Sequence, residues 1–331
     1  MKKIRVITSV LAITSFIACK KNTEETTIEK PTATESPSKT YAEISVKEGG
    51  HWEGREYIDG KFKNIDSLKV PAEHTDHSWY IRYEGPGWES NKIGYRLYLD
   101  WRNAIDIFGK KTDTMVLSKV GQDGFDSYHE PQNWGSDILK VGKGLGIGSI
   151  GRYVNKEVLH FKEVDSTFAK VENLENQSVV KINYFGWKTN NQKTNLKSTL
   201  SISADERHTK HTIQNSEGLS GICTGIVKLN NLPLIEKQSN NKKWAYIATY
   251  GEQTLVPDDL GMAIFYEVET VESNFEGEHD HLILFKPTKE AVSFYFLGAW
   301  EQEVNGIKNK EQFIAYLNEK LNELNQNNTL K

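Results

Sequence analysis

The chain has 331 residues, 41 Lys and Arg against 45 Asp and Glu, a hydrophobic fraction of 37% and two cysteines. These counts exclude a multi-pass membrane protein and a small disulfide-stapled scaffold. A formal net charge of −4 gives no basic footprint for DNA or RNA, whose phosphates demand clustered Lys and Arg.

Residues 1–19 read MKKIRVITSVLAITSFIAC: a basic start, an apolar run of signal-peptide length, and small residues before a cysteine. Phe16-Ile17-Ala18-Cys19 has the form of a bacterial lipobox, so Cys19 is the expected lipid attachment site and mature N-terminus. Residues 20–43 are rich in Lys, Glu, Thr, Ser and Pro and hold too little apolar surface to offset ordering entropy. They are expected to form a flexible linker, so that the protein is an exported lipoprotein, periplasmic or outer-membrane anchored, touching the membrane through its lipid alone. Loss of the leader removes three of the 41 positive charges and no acid, which leaves 38 against 45, or −7. Cys223 would then have no disulfide partner. Its small, apolar neighbours predict a buried structural thiol.

From residue 44 the texture changes to short β-prone runs divided by Gly, Asn and Asp. Trp79–Tyr83, Gly94–Asp100, Ser178–Tyr184, Ser198–Ser203, Trp244–Tyr250, Met262–Tyr266, His281–Phe285 and Val292–Leu297 carry the period-two alternation and residue types of half-buried strands. Trp134–Leu139 reads as a short helical turn. Phe313, Tyr316, Leu317, Leu321 and Leu324 recur at helical spacing from Lys310 onward. The expected fold class is mainly β: a large β-sandwich spanning residues 44–331 as one domain, with a C-terminal helix. A mutarotase-like supersandwich is one form it could take.

Three polar stretches could carry chemistry. His74 and His77 flank Asp76, but without further ligands at recognisable spacing no metal is assigned. In Tyr95–Arg102, alternation sends Tyr95, Leu97, Leu99 and Trp101 one way and Arg96, Tyr98, Asp100 and Arg102 the other. Such a polar ladder suits an anionic sugar, with guanidinium forks for its charge and flat rings for its faces. Tyr128 and His129 stand adjacent in a turn-like context, and both types can move a proton. The glycines at 142, 144, 146, 148 and 151 lack the Lys-Ser/Thr ending of a phosphate loop and read as close-packed or loop backbone. Glu278-His279-Asp280-His281 reads as surface. Serine-hydrolase elbows, zinc-protease helices and cysteine-nucleophile contexts do not occur.

The runs Tyr83–Ser90, Tyr98–Lys111, Asp126-Ser127-Tyr128-His129 and Trp134-Gly135 resemble the DUF4861 family of exported bacterial proteins, across most of residues 44–320. The resemblance implies polysaccharide breakdown and an oligosaccharide dehydratase acting on ulvan fragments. Water would leave a non-reducing-end glucuronic or iduronic acid linked to sulfated rhamnose, giving a 4,5-unsaturated uronate. The C5 proton of such a sugar is weakly acidic until the adjacent carboxylate is neutralised. Donors for the enolate-like charge, a base at C5 and an acid at the C4 hydroxyl are all required. His129 and Tyr128 are the expected base and acid, with His74 or His77 as substitutes in either role. Arg96, Arg102 and Arg152 are candidates for the carboxylate or sulfate, Trp88 and Trp101 for stacking on sugar faces, and Tyr250 for a further substrate contact. No cofactor and a monomer are expected. A polysaccharide lyase, a non-catalytic glycan-binding lipoprotein and a mutarotase-like activity stay open.

Overall fold

The computed structural model describes residues 38–123 and 127–331. The expected leader, Cys19 and the linker through residue 37 lie outside the described residues. The compact unit runs from Ser38 to Lys331. Its first strand, Thr40–Glu48, starts four residues ahead of the boundary expected at 44. Ala42, Ile44 and Val46 alternate into the core, and Tyr41 and Glu43 into a polar layer on the other face. A count of large apolar residues overlooks that alternation.

The architecture is mainly β, as expected, with one C-terminal helix. A nine-stranded antiparallel sheet, in the order 235–238, 244–252, 259–267, 292–300, 209–215, 192–203, 177–189, 166–173 and 67–69, forms one wall. A six-stranded sheet (61–65, 40–48, 87–90, 93–97, 105–110, 135–137) and a five-stranded sheet (157–159, 147–154, 222–227, 280–285, 271–276) contribute the side chains opposite. One core joins all three. It includes Ile44, Trp88 and Ile107 from the six-stranded sheet, Ile150 and Ile226 from the five-stranded sheet, and Leu200, Ile264 and Phe296 from the nine-stranded sheet.

Period-two alternation gives the nine-stranded sheet two apolar faces. Phe294 and Phe296 enter the central core while Tyr295 and Leu297 face the helix Lys310–Asn327. That helix buries Phe313, Leu317, Leu321 and Leu324. Asn309 caps its start, its side chain accepting from the Gln312 amide at 2.9 Å, and Asn328 ends it in the left-handed region. Gly261 allows the Phe313 ring to approach; a Cβ there would lie 2.6 Å from it.

Two expected elements differ. Trp134–Leu139 supplies the short strand Gly135–Asp137 at the edge of the six-stranded sheet, where Phe108 pairs with Asp137. Trp79–Tyr83 is not a strand. Trp79, Tyr83 and Glu84 take positive φ, as does His77, and Arg82–Glu84 forms a single 3-10 turn. Non-glycine residues seldom adopt positive φ, so no periodicity rule anticipates this segment. The thiol of Cys223 is fully buried, as expected, and burial pushes its pKa up.

The outer face of the six-stranded sheet is polar yet buried. Glu43 pairs with Arg82 and accepts from the Tyr83 hydroxyl at 2.5 Å. Glu89 holds Lys110 at 2.6 Å and accepts from the amides of Val116 and Leu117 at 2.8 Å each. Val116, Leu117 and Val120 thereby close over Phe108, Tyr83 and Tyr128.

Phe313 is fully buried in the helix–sheet interface, so Phe313→Ala should cost about 3–5 kcal/mol. Equilibrium denaturant unfolding reads this directly. A cost below about 1 kcal/mol would mean that the helix is held by its ends rather than by this stripe.

Candidate active site

Four carboxylates and two guanidiniums converge at the open end of that polar layer. Arg96 lies directly across from Asp106 in the sheet register, so both side chains share the outer face. Its guanidinium reaches Asp106 at 2.8 Å and Asp137 at 2.6 Å, all three groups being buried. Tyr98, two residues on and thus on the same face, donates its hydroxyl proton to Asp106 at 2.7 Å and accepts from Arg96 at 2.9 Å. Asp137 also lies 2.9 Å from Nδ1 of His129, whose side chain is 30% exposed. A network results in which His129 and Asp137 connect to the closed triangle of Arg96, Asp106 and Tyr98.

Arg102 forms the second centre. It stacks over the Tyr98 ring, 4.0 Å from its centroid, and pairs with Asp100 and, at 2.8 Å, with Glu84. Glu84 in turn accepts from the His77 amide at 2.8 Å. The positive-φ segment is thus tied to the Arg102 centre, and strain of this sort is sustained only where surrounding bonds over-determine it. Burial would raise the Glu84 pKa, but Arg102, Arg96 and the His77 amide outweigh it and hold the carboxyl below its usual range.

An open cavity of about 490 Å³ lies over these groups, lined by His77, Glu84, Arg96, Tyr98, Arg102, Asp106, His129, Asp137 and the segment 139–142. His77 is exposed at its wall, Nδ1 3.5 Å from Asp76, and Lys140 is exposed at its rim. The residue set offers two imidazoles, each beside a carboxylate. A carboxylate on Nδ1 fixes the imidazole tautomer and stabilises the imidazolium that forms when Nε2 takes a proton.

The charge balance differs from a simple cationic lining. Each arginine already carries two carboxylates, so neither brings a full positive charge to a ligand. Asp106 shows the consequence: burial first, and the neighbouring Asp137 second, push its pKa up to about 7 against the pull of Arg96. One proton shared in the Asp106–Asp137 pair relieves an excess negative charge in a dry environment.

Of the residues named from the sequence, the cavity brings together His129, His77, Arg96 and Arg102. It excludes the others, for identifiable reasons. Tyr128 is buried, its hydroxyl accepting from Arg96 at 3.0 Å, and its pKa is pushed up to about 12 chiefly by burial. It therefore supports Arg96 and is not an acid facing a ligand. His74 lines a different cleft, with Nδ1 2.7 Å from Ser78 Oγ and a pKa lowered to about 4 by burial. Trp88 points into the sandwich core, stacked on Tyr95 and donating to Thr209 Oγ1 at 2.9 Å. Arg152 is spent on Thr189, Gln192 and the Ser220 carbonyl in the five-stranded sheet's surroundings. Tyr250 faces the C-terminal helix and packs on Phe313. Trp101 is exposed outside this cavity. Tyr98, Glu84, Asp106 and Asp137 also take part, though none was assigned a role from the sequence. Tyr98 was visible on the polar ladder, whereas Asp106 and Asp137 become partners of Arg96 only through strand pairing.

A family model described as a domain of unknown function (DUF4861) matches residues 11–329. That is nearly the whole chain, and the protein belongs to this family. Comparison with curated proteins gives no match.

Because the Asp106 carboxyl has a pKa near 7 when folded and near 3.9 when unfolded, the folded state binds the extra proton between those values. The associated stabilisation is complete below about pH 4 and is lost as pH rises through 7, with a slope of at most about 1.4 kcal/mol per pH unit. Asp106→Asn should remove this contribution, so that the parent-minus-variant stability difference falls between pH 4 and 7. Urea unfolding at several pH values provides the comparison. His74 and His211 contribute an opposite slope from about pH 4 to 6.5, and Asp280 one of the same sign as Asp106, all common to both proteins. A difference profile without slope would place the buried proton elsewhere.

Proposed function

We propose that the protein is a carbon–oxygen lyase of the hydro-lyase type, removing water from the non-reducing-end uronic acid of a sulfated, ulvan-type oligosaccharide to give a 4,5-unsaturated uronate. The observation that carries this reading is the half-exposed His129, held through Nδ1 by buried Asp137 at the wall of an open cavity. Proton abstraction beside a carboxylate needs a base that is neutral before the reaction and stabilised once protonated, and a His–Asp pair supplies both states.

In this mechanism His129 Nε2 takes the C5 proton. Asp137 holds the resulting imidazolium, and Arg96 fixes Asp137 so that the pair does not rotate away. His77, across the Glu84–Arg102 centre and beside Asp76, gives its proton to the departing C4 hydroxyl, which leaves as water. The C5–H and C4–O bonds break, the C4–C5 double bond forms, and no external oxidant or reductant is involved. Lys140 at the rim and the outer edge of Arg102 neutralise the sugar carboxylate, so that charge developing on it during proton loss meets fixed donors. Tyr98 and Asp106 lie below as the buried support of Arg96. The proposal extends to location: the leader and Cys19 would place this domain outside the cytoplasm on a lipid anchor, where an oligosaccharide substrate is met.

Incubation with defined uronic-acid oligosaccharides, read by mass and by ultraviolet absorbance of the conjugated product, tests the reading. The expected product keeps its chain length and is lighter by one water. His129→Gln and His77→Gln should each lower turnover about 10²–10⁴-fold with unaltered thermal stability. Shorter fragments would instead indicate a chain-splitting lyase, and binding without any change in mass would leave a glycan-binding protein.

A further inference from the structure

Trp101 stands on the tip of the turn Leu99–Asn103, closed by the Asn103 amide donating to the Asp100 carbonyl at 3.1 Å. Its neighbours Asp100 and Arg102 bond each other, Arg102 lining the His129 cavity, while Trp101 itself is 38% exposed. Leaving an indole in water forfeits burial energy, and a flat, uncovered ring is a surface suited to the apolar face of a sugar. The ring is fixed in place. The Phe161 amide donates to the Trp101 carbonyl at 3.0 Å, the His160 ring meets the indole edge-on with centroids 6.0 Å apart, and Lys162 Nζ lies 5.5 Å from its centre.

Two clefts meet at this ring, and Trp101 and Lys162 line both. The smaller, of about 390 Å³, also has Lys143, Lys156, His160 and His279 in its walls. Lys143, Lys156 and Lys162 are all exposed and none has an ion-pair partner among the described residues. Facing them are Glu157, Glu278 and Asp280. Glu278 lies 3.4 Å from His279, and the buried Asp280 accepts from the Leu145 amide. The larger cleft, of about 870 Å³, is lined by His74, Asp100 and Tyr184. There the buried Nε2 of His74 has no hydrogen-bond partner, although its Nδ1 is engaged by Ser78. A buried ring nitrogen without a partner is costly unless a ligand supplies one, and a sugar hydroxyl can donate to it or accept from it. The same loop links this region to the His129 cavity, since Gly142 lines the cavity and Lys143 the smaller cleft.

We propose that the Trp101 ridge and its two flanking clefts form a second saccharide-binding site, which stacks a sugar on the indole and takes that unit's sulfate or carboxylate on Lys143, Lys156 and Lys162. Resting on the function proposed above, this site holds the remainder of the chain whose terminal unit enters the His129 cavity. It makes the protein prefer acidic oligosaccharides longer than a disaccharide, by contacts that take no part in bond breaking.

Calorimetric titration of the whole protein in a His129→Gln background tests this, using a disaccharide, a sulfated uronic-acid tetrasaccharide and the same tetrasaccharide after desulfation. The tetrasaccharide should bind about tenfold more tightly than the disaccharide. Trp101→Ala should erase that advantage without altering disaccharide affinity, and Trp101→Phe should retain part of it. A Lys156→Gln/Lys162→Gln double variant should weaken the tetrasaccharide and reduce its salt dependence. Loss of affinity on desulfation assigns the lysines to sulfate, and no loss assigns them to the carboxylate. An unchanged length preference in Trp101→Ala, or none in the parent, overturns the site. Product formation with a Trp101→Ala protein that treats all lengths as the parent does would sink this site and leave the elimination reading standing. Trp101-dependent binding by a protein that never alters its ligand would do the reverse.

Discussion

The buried Arg96 guanidinium, shared between Asp106 and Asp137, is the constraint on which the candidate active site depends. It joins three neighbouring strands of the six-stranded sheet through side chains as well as backbone. Such ion pairs add little to net stability, because desolvation of both partners offsets their attraction. Their effect is geometric. With Asp137 fixed by Arg96, His129 is oriented from below, and with Tyr98 bound to both Asp106 and Arg96, the Arg102 stack above it is oriented as well.

The charge arithmetic explains why these groups sit where they do. Two arginines against Asp100, Glu84, Asp106 and Asp137 leave excess negative charge, and the raised Asp106 pKa is the response. A site built this way cannot hold an acidic ligand by its arginines alone. The cations with charge to spare are placed outward, at Lys140 on the cavity rim and at the lysines around Trp101. Under the proposed function, the floor would set proton affinities and the rim would attract substrate.

Much of the fold was legible in local pattern. The alternation in Tyr95–Arg102 separated a core side from a polar side, and Tyr95, Leu97 and Leu99 enter the central core while Arg96, Tyr98 and Arg102 meet on the opposite face; Trp101, expected with the core side, is exposed instead. The stripe from Phe313 to Leu324 marked the helix for the same reason. What local pattern does not contain is which of two sheet faces a side chain meets, and across which strand. Trp88 and Tyr250 have the right chemistry for sugar stacking, but one lies between the sheets and the other under the helix. Tyr128 differs from His129 by a single position, yet one is sealed against Phe108 and the other is open to the cavity. The positive-φ residues His77, Trp79, Tyr83 and Glu84 were illegible because their conformation is imposed by tertiary bonds, the Glu84 pairing among them.

The turn Leu99–Asn103 brings these threads together. Arg102 lines the His129 cavity, Asp100 lines the larger of the two clefts, and Trp101 between them lines both clefts. One short turn therefore serves two surfaces, Arg102 on one and Trp101 on the other. Its backbone is pinned on both sides, with the Leu99 amide donating to the Glu84 carbonyl and the Arg102 carbonyl accepting from His160. The residue after Trp101, Arg102, holds Glu84 and through it the backbone of His77. Under the proposed function, contact remote from the reacting bond would be transmitted to the imidazole proposed to protonate the leaving group, and binding of non-reacting units would be converted into orientation at the reacting one.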